Sequence, residues 1–345
     1  MTSTVEGLSD KQKTSSGCFI WVKCIFLTLL IIVIVLPLLG ITYQTISTQV
    51  DKNKYPAPGQ LIDIGGYRLH LYCMGEPTDG SPTVVLEQGL GGTSPAWALI
   101  QPEVAKVTRV CAYDRAGLGW SDAAPAGKQV VEELHTLLQK ANISGPYVMV
   151  GHSFGGLYTL FFAHQYSKEV VGVVLLESSH PNQWTSTPAG QALYQSNAST
   201  YSITSLLARL GLLRLRVKSQ PPLGLPDLQN TELRVFLSAT QDWDAQAAEF
   251  SATIDLDNEV RDAGSLGDLP LFVLTATDHG GPAEMEQAWQ ILQNELAQLS
   301  TNSVHKILEG AHHESVWADP KYAGESVDAI LKVVDAAQHG TPLQK

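Results

Sequence analysis

Several things are scarce in this sequence, and each scarcity excludes something. Charged residues make up only 16% of it, against 44% hydrophobic residues. A chain so poor in charge and rich in apolar side chains folds around a core and is not a disordered protein. Positive charge is the scarcer sign: 22 Lys and Arg stand against 34 Asp and Glu, a formal net charge of −12. No basic run follows the first apolar segment, which argues against nucleic acid as a partner. Cysteine is rare too, with four residues and no CxxC or His/Cys spacing, so no metal site is expected. No internal repeat appears, which sets aside solenoids and propellers.

What is present begins with one long apolar run. After a polar tail, expected over residues 1–23, "CIFLTLLIIVIVLPLLGI" extends from Cys24 to Ile41, broken only by Thr28, Pro37 and Gly40. At 1.5 Å per residue, about 20 such residues cross a hydrocarbon core of about 30 Å. The run is read as an uncleaved transmembrane anchor over 24–41. The rival is a signal peptide, with the rest secreted after cleavage, but "GITYQTIS" is a poor cleavage region and the polar leader is long. Lys11, Lys13 and Lys23 precede the span and Lys52 and Lys54 follow it, a slight bias that places the remainder on the extracytoplasmic side.

Beyond an expected linker at 42–59, short β-rich runs alternate with helical patterns, the signature of a largely parallel sheet with crossover helices. "QLIDIGGYRLHLYCMG" reads as an antiparallel hairpin around Gly65-Gly66. "TVVLEQG", "RVCAYDRAG", "PYVMVGHS", "VVGVVLLES", "PLFVLTATD" and "SVHKILEG" read as further strands. If the Cys73 and Cys111 strands are neighbours in an oxidising compartment, a disulfide joins them; otherwise both are small buried hydrophobes. Core segments are expected at 60–178 and 268–345. Between them, over 179–267, the alternation lapses into Pro/Gly punctuation and helix-like pieces, read as a lid. Its Leu206–Lys218 stretch mixes Leu with Arg209, Arg214, Arg216 and Lys218, and reads as an ordinary lid helix with a solvated basic face in preference to a membrane contact.

The chemistry centres on "VGHSFGG". Gly151-x-Ser153-x-Gly155 stands between a strand and a helix, where a sharp turn exposes a serine hydroxyl above the sheet. The next helix starts at the turn, so the Phe154 amide can carry an oxyanion, with the Leu90 amide of "LEQGLGG" as second donor. A serine nucleophile needs a base and an orienting acid. Asp278 follows one late strand and His312 and His313 follow the last. Glu177, ending "VVGVVLLE", is the rival acid. His152 and His279 are read as packing and loop histidines.

With these motifs, and with "YDRAGLGWSD" at 113–122, the chain from about Gly59 onward resembles α/β-hydrolase fold enzymes, in particular bacterial hydrolases of the esterase and lipase-like kind. The resemblance implies an eight-stranded, mostly parallel sheet flanked by helices, with the lid inserted after the sixth strand. It also implies no cofactor, and acyl-bond hydrolysis through Ser153, Asp278 and His313. In such enzymes the base commonly precedes, by seven residues, a proline opening the last helix. His313 meets that step at Pro320, and His312 misses it by one. Two positions depart from the pattern: Gln88 where many members have His, and Thr275 where a glycine often precedes the acid. An apolar acyl substrate is expected, with Trp97, Trp120 and lid residues as pocket lining or as core packing.

Overall fold

Residues 15–78, 80–125, 129–280 and 283–344 are described by a computed structural model. Residues 1–14 of the expected polar tail, with Lys11 and Lys13, and the side chain of Cys18 lie outside the described residues, and the rest of that tail, from Ser15, is helical. The β-rich runs form β1 (Gln60–Asp63), β2 (Arg68–Met74), β3 (Thr83–Glu87), β4 (Val110–Asp114), β5 (Tyr147–His152), β6 (Val170–Leu176), β7 (Leu271–Ala276) and β8 (Ser303–Leu308). They make one eight-stranded sheet in the order β1-β2-β4-β3-β5-β6-β7-β8. The expected hairpin sets β1 against β2, and β2 is antiparallel to β4; every other pairing is parallel. All residues of β3, β5 and β7 are buried, which is why they read as unbroken apolar runs and not as alternating ones. Cys73 sits opposite Cys111 in the β2–β4 register, and the two form a disulfide.

Helices cover both faces. One layer holds α3 (Gln101–Val104), α12 (Ser315–Ala318) and α13 (Pro320–His339), packed through Trp97, Ile100, Ile330 and Val333. The other holds α4 (Val130–Lys140), α5 (Gly155–Gln165) and α11 (Ala283–Ala297), packed through Leu134, Leu157, Phe162 and Leu296. Proline opens α13 at Pro320, where its missing N–H costs nothing, and the Asp319 side chain caps the helix by accepting from the Lys321 amide.

Between β6 and β7 the chain builds a helical cap: α6 (Pro188–Arg209), α7 (Leu212–Lys218), α8 (Asp227–Leu237), α9 (Thr240–Ser251) and α10 (Thr253–Ala263). The N-terminal helix runs from α1 (Ser15–Leu30) through a π-helical turn, Ile31–Val35, into α2 (Leu36–Lys54). Pro37 has no N–H for the preceding turn, and the widened turn bonds the Leu36 amide to the Ile31 carbonyl. The expected linker at 42–59 is therefore helical as far as Lys54. Its polar face is held by the cap, through Gln44, which is buried and donates to the Ser238 carbonyl.

Candidate active site

β5 delivers Ser153 into a left-handed conformation, φ 50°, which a non-glycine residue adopts only where its surroundings compel it. The turn is fixed from three sides. The Ser153 amide donates to the Leu176 carbonyl, and its own carbonyl accepts from the amides of Gly156 and Ser179. The flanking glycines are demanded by close approach. A Cβ on Gly151 would lie 2.6 Å from the Gly156 Cα, and one on Gly155 would lie 2.4 Å from the Glu87 carbonyl oxygen.

The loop after β8 brings His313 to this serine, with Nε2 2.9 Å from Ser153 Oγ. Its Nδ1 lies 3.3 Å from Glu177 Oε2. With the proton on Nδ1, donated to Glu177, Nε2 is left to accept from the serine hydroxyl. His312 points away, 63% exposed, with Nδ1 2.8 Å from the Asp278 carbonyl oxygen.

Asp278, the expected acid, stands apart from the Ser153–His313 pair. Asp278 does not reach His313: its carboxylate is 54% exposed and stands 3.6 Å from His312 Nδ1. Glu177 stands where Asp278 was expected, fully buried at the end of β6 and also in a left-handed conformation, φ 50°. The reason lies in which way the turn after β7 faces. Ala276 ends the strand, Asp278 falls on the solvent side, and the next residue, His279, turns inward.

His279 thereby becomes part of the site, which the sequence reading missed. Its Nε2 donates to Glu177 Oε2 at 2.6 Å and its Nδ1 to Glu286 Oε2 at 2.7 Å. Trp289 Nε1 donates to the other oxygen of Glu177 at 2.7 Å. Burial works against charge on Glu177, but hydrogen bonds from His279 and His313 outweigh it and hold the carboxyl down at about 2. Burial also opposes charge on His279, yet its bonds to Glu177 and Glu286 raise it to about 9. Glu177 is thus a carboxylate shared by two histidines, one of them a cation at neutral pH. Glu177, His279 and His313 bring donor atoms within 4.8 Å of one another, close enough to share a metal ion.

The opposite wall is the loop after β3. Gln88 Oε1 accepts from the Gly89 amide and lies 2.6 Å from His152 Nδ1; His152 Nε2 is 3.1 Å from the His313 carbonyl oxygen. Burial, with His313 beside it, pushes His152 down to about 3, so it is a neutral spacer between the two loops. Arg115, buried below, donates to the Gln88 and Gly89 carbonyls and pairs with Glu87 and with Glu249 of α9. Glu249 also accepts from the Gly91 amide at 3.1 Å, so a cap residue holds the loop that carries Leu90.

Leu90, Phe154, Ser153 and His313 open into one cavity of about 380 Å³ under the cap. Its apolar wall comes from Trp184, Tyr201, Phe250, Met285, Trp289 and Leu292. Of the two readings open for Trp97 and Trp120, packing is the one found, and neither lines the cavity. Trp97 is fully buried in the core, and Trp120 packs on His70 and Phe236 while its Nε1 donates to the Tyr55 carbonyl.

Comparison with known proteins agrees with this architecture. The family model described as alpha/beta hydrolase fold matches residues 82–216. An uncharacterized protein of Schizosaccharomyces pombe is 29% identical over 311 residues, covering 80% of this chain and 55% of that protein. The Bacillus subtilis protein YbdG, also uncharacterized, is 23% identical and 50% covered, so the chain spans about half the length of the curated relatives it matches. Among solved structures, a carboxylesterase of the thaumarchaeon Nitrososphaera gargenis superposes with a TM-score of 0.58 at 17% identity, over 80% of this chain and 99% of that one. A bromoperoxidase of Bacillus anthracis gives 0.58 at 20% identity, over 79% and 99%. At such identities the likeness is one of fold, and these folds serve different chemistries.

Proposed function

This chain is an α/β-hydrolase-fold protein, and from that premise we propose that it is a membrane-anchored serine hydrolase cleaving carboxylic esters, or related acyl bonds, through Ser153, His313 and Glu177. The single observation that carries the reading is the continuous hydrogen-bonded line from Ser153 Oγ to His313 Nε2, and from His313 Nδ1 to Glu177. His313 takes the serine proton as Oγ attacks the carbonyl carbon, and Glu177 fixes the imidazole tautomer and stabilises the imidazolium. The amides of Leu90 and Phe154, both at the cavity wall, receive the developing oxyanion. His313 then protonates the leaving alcohol, and water, activated by the same imidazole, releases the acyl group from Ser153. The aromatic and aliphatic wall favours an apolar acyl chain. No step calls on a cofactor.

The test is labelling with a fluorophosphonate, followed by turnover of a panel of esters, thioesters and amides. The wild type should label and hydrolyse esters, whereas Ser153→Ala and His313→Ala should do neither. Labelling that survives in Ser153→Ala would overturn the nucleophile. Labelling without turnover of any acyl substrate would point to another chemistry of the fold, such as cofactor-free haloperoxidation or C–C bond cleavage. The exposed apolar helix, with a mean hydropathy of 3.1 over its best window and none of that window buried, supports a single-pass anchor. The Cys73–Cys111 disulfide supports an extracytoplasmic catalytic domain.

A further inference from the structure

The N-terminal helix does not leave the membrane and dangle. Where its apolar run ends, it is locked to the cap by backbone contact. A Cβ on Gly40 would lie 2.5 Å from the Leu210 carbonyl oxygen, and one on Gly211 would lie 3.0 Å from the Tyr43 ring and 3.3 Å from the Gly40 carbonyl oxygen. Glycine on both sides lets the helix and the α6–α7 corner touch. One helical turn on, Arg214 of α7 donates to Gln44 Oε1 at 2.8 Å and to Thr48 Oγ1 at 3.1 Å, and pairs with Asp51. Gln44 is 4% exposed and Arg214 is 8% exposed, so the joint is dry and directional.

This joint sets a level. The apolar run from Phe19 to Ile41 is about as long as a hydrocarbon core is thick, so Gly40 stands at its edge. Leu210, against Gly40, stands there too. Three leucines around Leu210 are left exposed by the cap: Leu206, one turn back on α6, is 55% exposed, and Leu212 and Leu215 on α7 are 47% and 63% exposed, while the neighbouring Arg209 is exposed but paired with Asp244. Beside them Arg216 and Lys218 are exposed, with no ion pair among the described residues. Each leucine is within about one and a half helical turns of Leu210, roughly 7.5 Å along a helix, a span comparable to the head-group layer on one side of a bilayer.

We propose that the α6–α7 corner of the cap is a second membrane contact, in which Leu206, Leu212 and Leu215 enter the head-group layer of the bilayer crossed by the N-terminal helix while Arg216 and Lys218 meet lipid phosphates. The occupant is a bilayer, because the patch is continuous with the span and apolar side chains lie next to unpaired cations. The lid helix is therefore not simply solvated on its basic face. α6 also carries Leu193 and Tyr201 of the cavity wall, so the element that closes the pocket is the one seated on the lipid. The inference rests on the anchor reading and is independent of the assignment of the serine.

The test uses the full chain in nanodiscs of phosphatidylcholine and phosphatidylserine, in a Cys18→Ser, Cys24→Ser background that keeps the disulfide. Single reporters at Leu206→Cys, Leu212→Cys and Leu215→Cys carry an environment-sensitive dye. Val33→Cys reports the span, and Ile307→Cys reports an exposed apolar site on β8, at the sheet edge opposite β1. The three cap reporters should shift to the blue and be quenched several-fold more than Ile307→Cys by head-group spin-labelled lipid. Val33→Cys should be quenched by lipid labelled deep in the acyl chain. Adding Arg216→Glu and Lys218→Glu should reduce the cap quenching on phosphatidylserine discs and leave Val33→Cys unchanged. If the cap reporters behave like Ile307→Cys while Val33→Cys is quenched, the second contact is wrong and the anchor stands. If Val33→Cys is not quenched either, the anchor reading itself fails. Cap reporters shielded from aqueous iodide but untouched by lipid quenchers would mean that another copy of the chain covers the patch, which also overturns the proposal.

Discussion

Glu177 accepts four hydrogen bonds, from His313, His279, Trp289 and the Ala276 amide, and the bond from the cationic His279 is strengthened by its charge. Glu177→Gln keeps the shape but removes the charge and permits the wrong imidazole tautomer. Ester turnover, measured as kcat/KM, should fall by roughly 10³- to 10⁴-fold, while Asp278→Asn should leave it unchanged. A reversed result would restore Asp278 as the acid. His279 makes a separate, pH-dependent contribution. Its value is raised to about 9 in the fold, so its bonds to Glu177 and Glu286 stabilise the protein fully below the ordinary histidine value of about 6.5. That stability is lost as pH rises through about 9. Glu177 has the opposite sign: depressed to about 2, it stabilises above its ordinary value of about 4.3 and loses this as pH falls toward 2. The gap in melting temperature between wild type and His279→Ala should therefore be widest near pH 6 and shrink on titration to pH 10 in a thermal-shift assay. A gap constant across that range would show that His279 is not charged in the fold. Residue type could not have separated Glu177 from Asp278. Both are acids just beyond buried strands, and the choice is made by the direction the backbone takes one residue past each strand end.

At the scale of elements, the parts that repeat with a period were legible. "VVEELHTLLQK" shows its apolar face and is α4, and "VGHSFGG" is a strand, a strained turn and a helix. Pro320 opens α13, and His313, seven residues before it, is the histidine that stands beside Ser153. Two elements were not legible, for the same reason. Residues 43–54 carry β-branched and polar side chains that favour no helix by themselves, and they are helical because Arg214 and Ser238 of the cap satisfy Gln44, Thr48 and Asp51. Glu249 lies in an unremarkable stretch of α9, yet it closes the ion pair with Arg115 beneath the Leu90 loop. Arg115 is 2% exposed, so removing a partner leaves charge buried. Glu249→Ala should cost about 3–5 kcal/mol in chemical denaturation. It should also lower kcat more than it raises KM, since a slack Gly89–Gly91 loop misplaces an oxyanion donor and leaves the apolar wall standing. A change confined to KM would show that Glu249 serves the cap alone.

Across the whole molecule, the anchor and the disulfide make one joint statement about sidedness. Cys73 and Cys111 are adjacent in register on β2 and β4 and close a loop of 38 residues. The bond is worth about 2–4 kcal/mol to a domain kept in an oxidising compartment and nothing to one bathed in reduced thiols. The slight excess of lysine before the span supports the same proposed sidedness, with the hydrolase-fold domain outside the cytoplasm. In membranes from cells quenched with acid and then denatured, Cys73 and Cys111 should refuse a polyethylene-glycol maleimide until a reductant is added, and then both should react. Cys18 and Cys24 should react in the same denatured sample without reductant, which serves as the internal control. Protease added to intact spheroplasts should, in parallel, remove the domain and leave the span. Four maleimide additions before reduction, with the domain protected from protease, would place the hydrolase fold on the cytoplasmic face. The anchor would survive that outcome, because it rests on the apolar run and not on the cysteines.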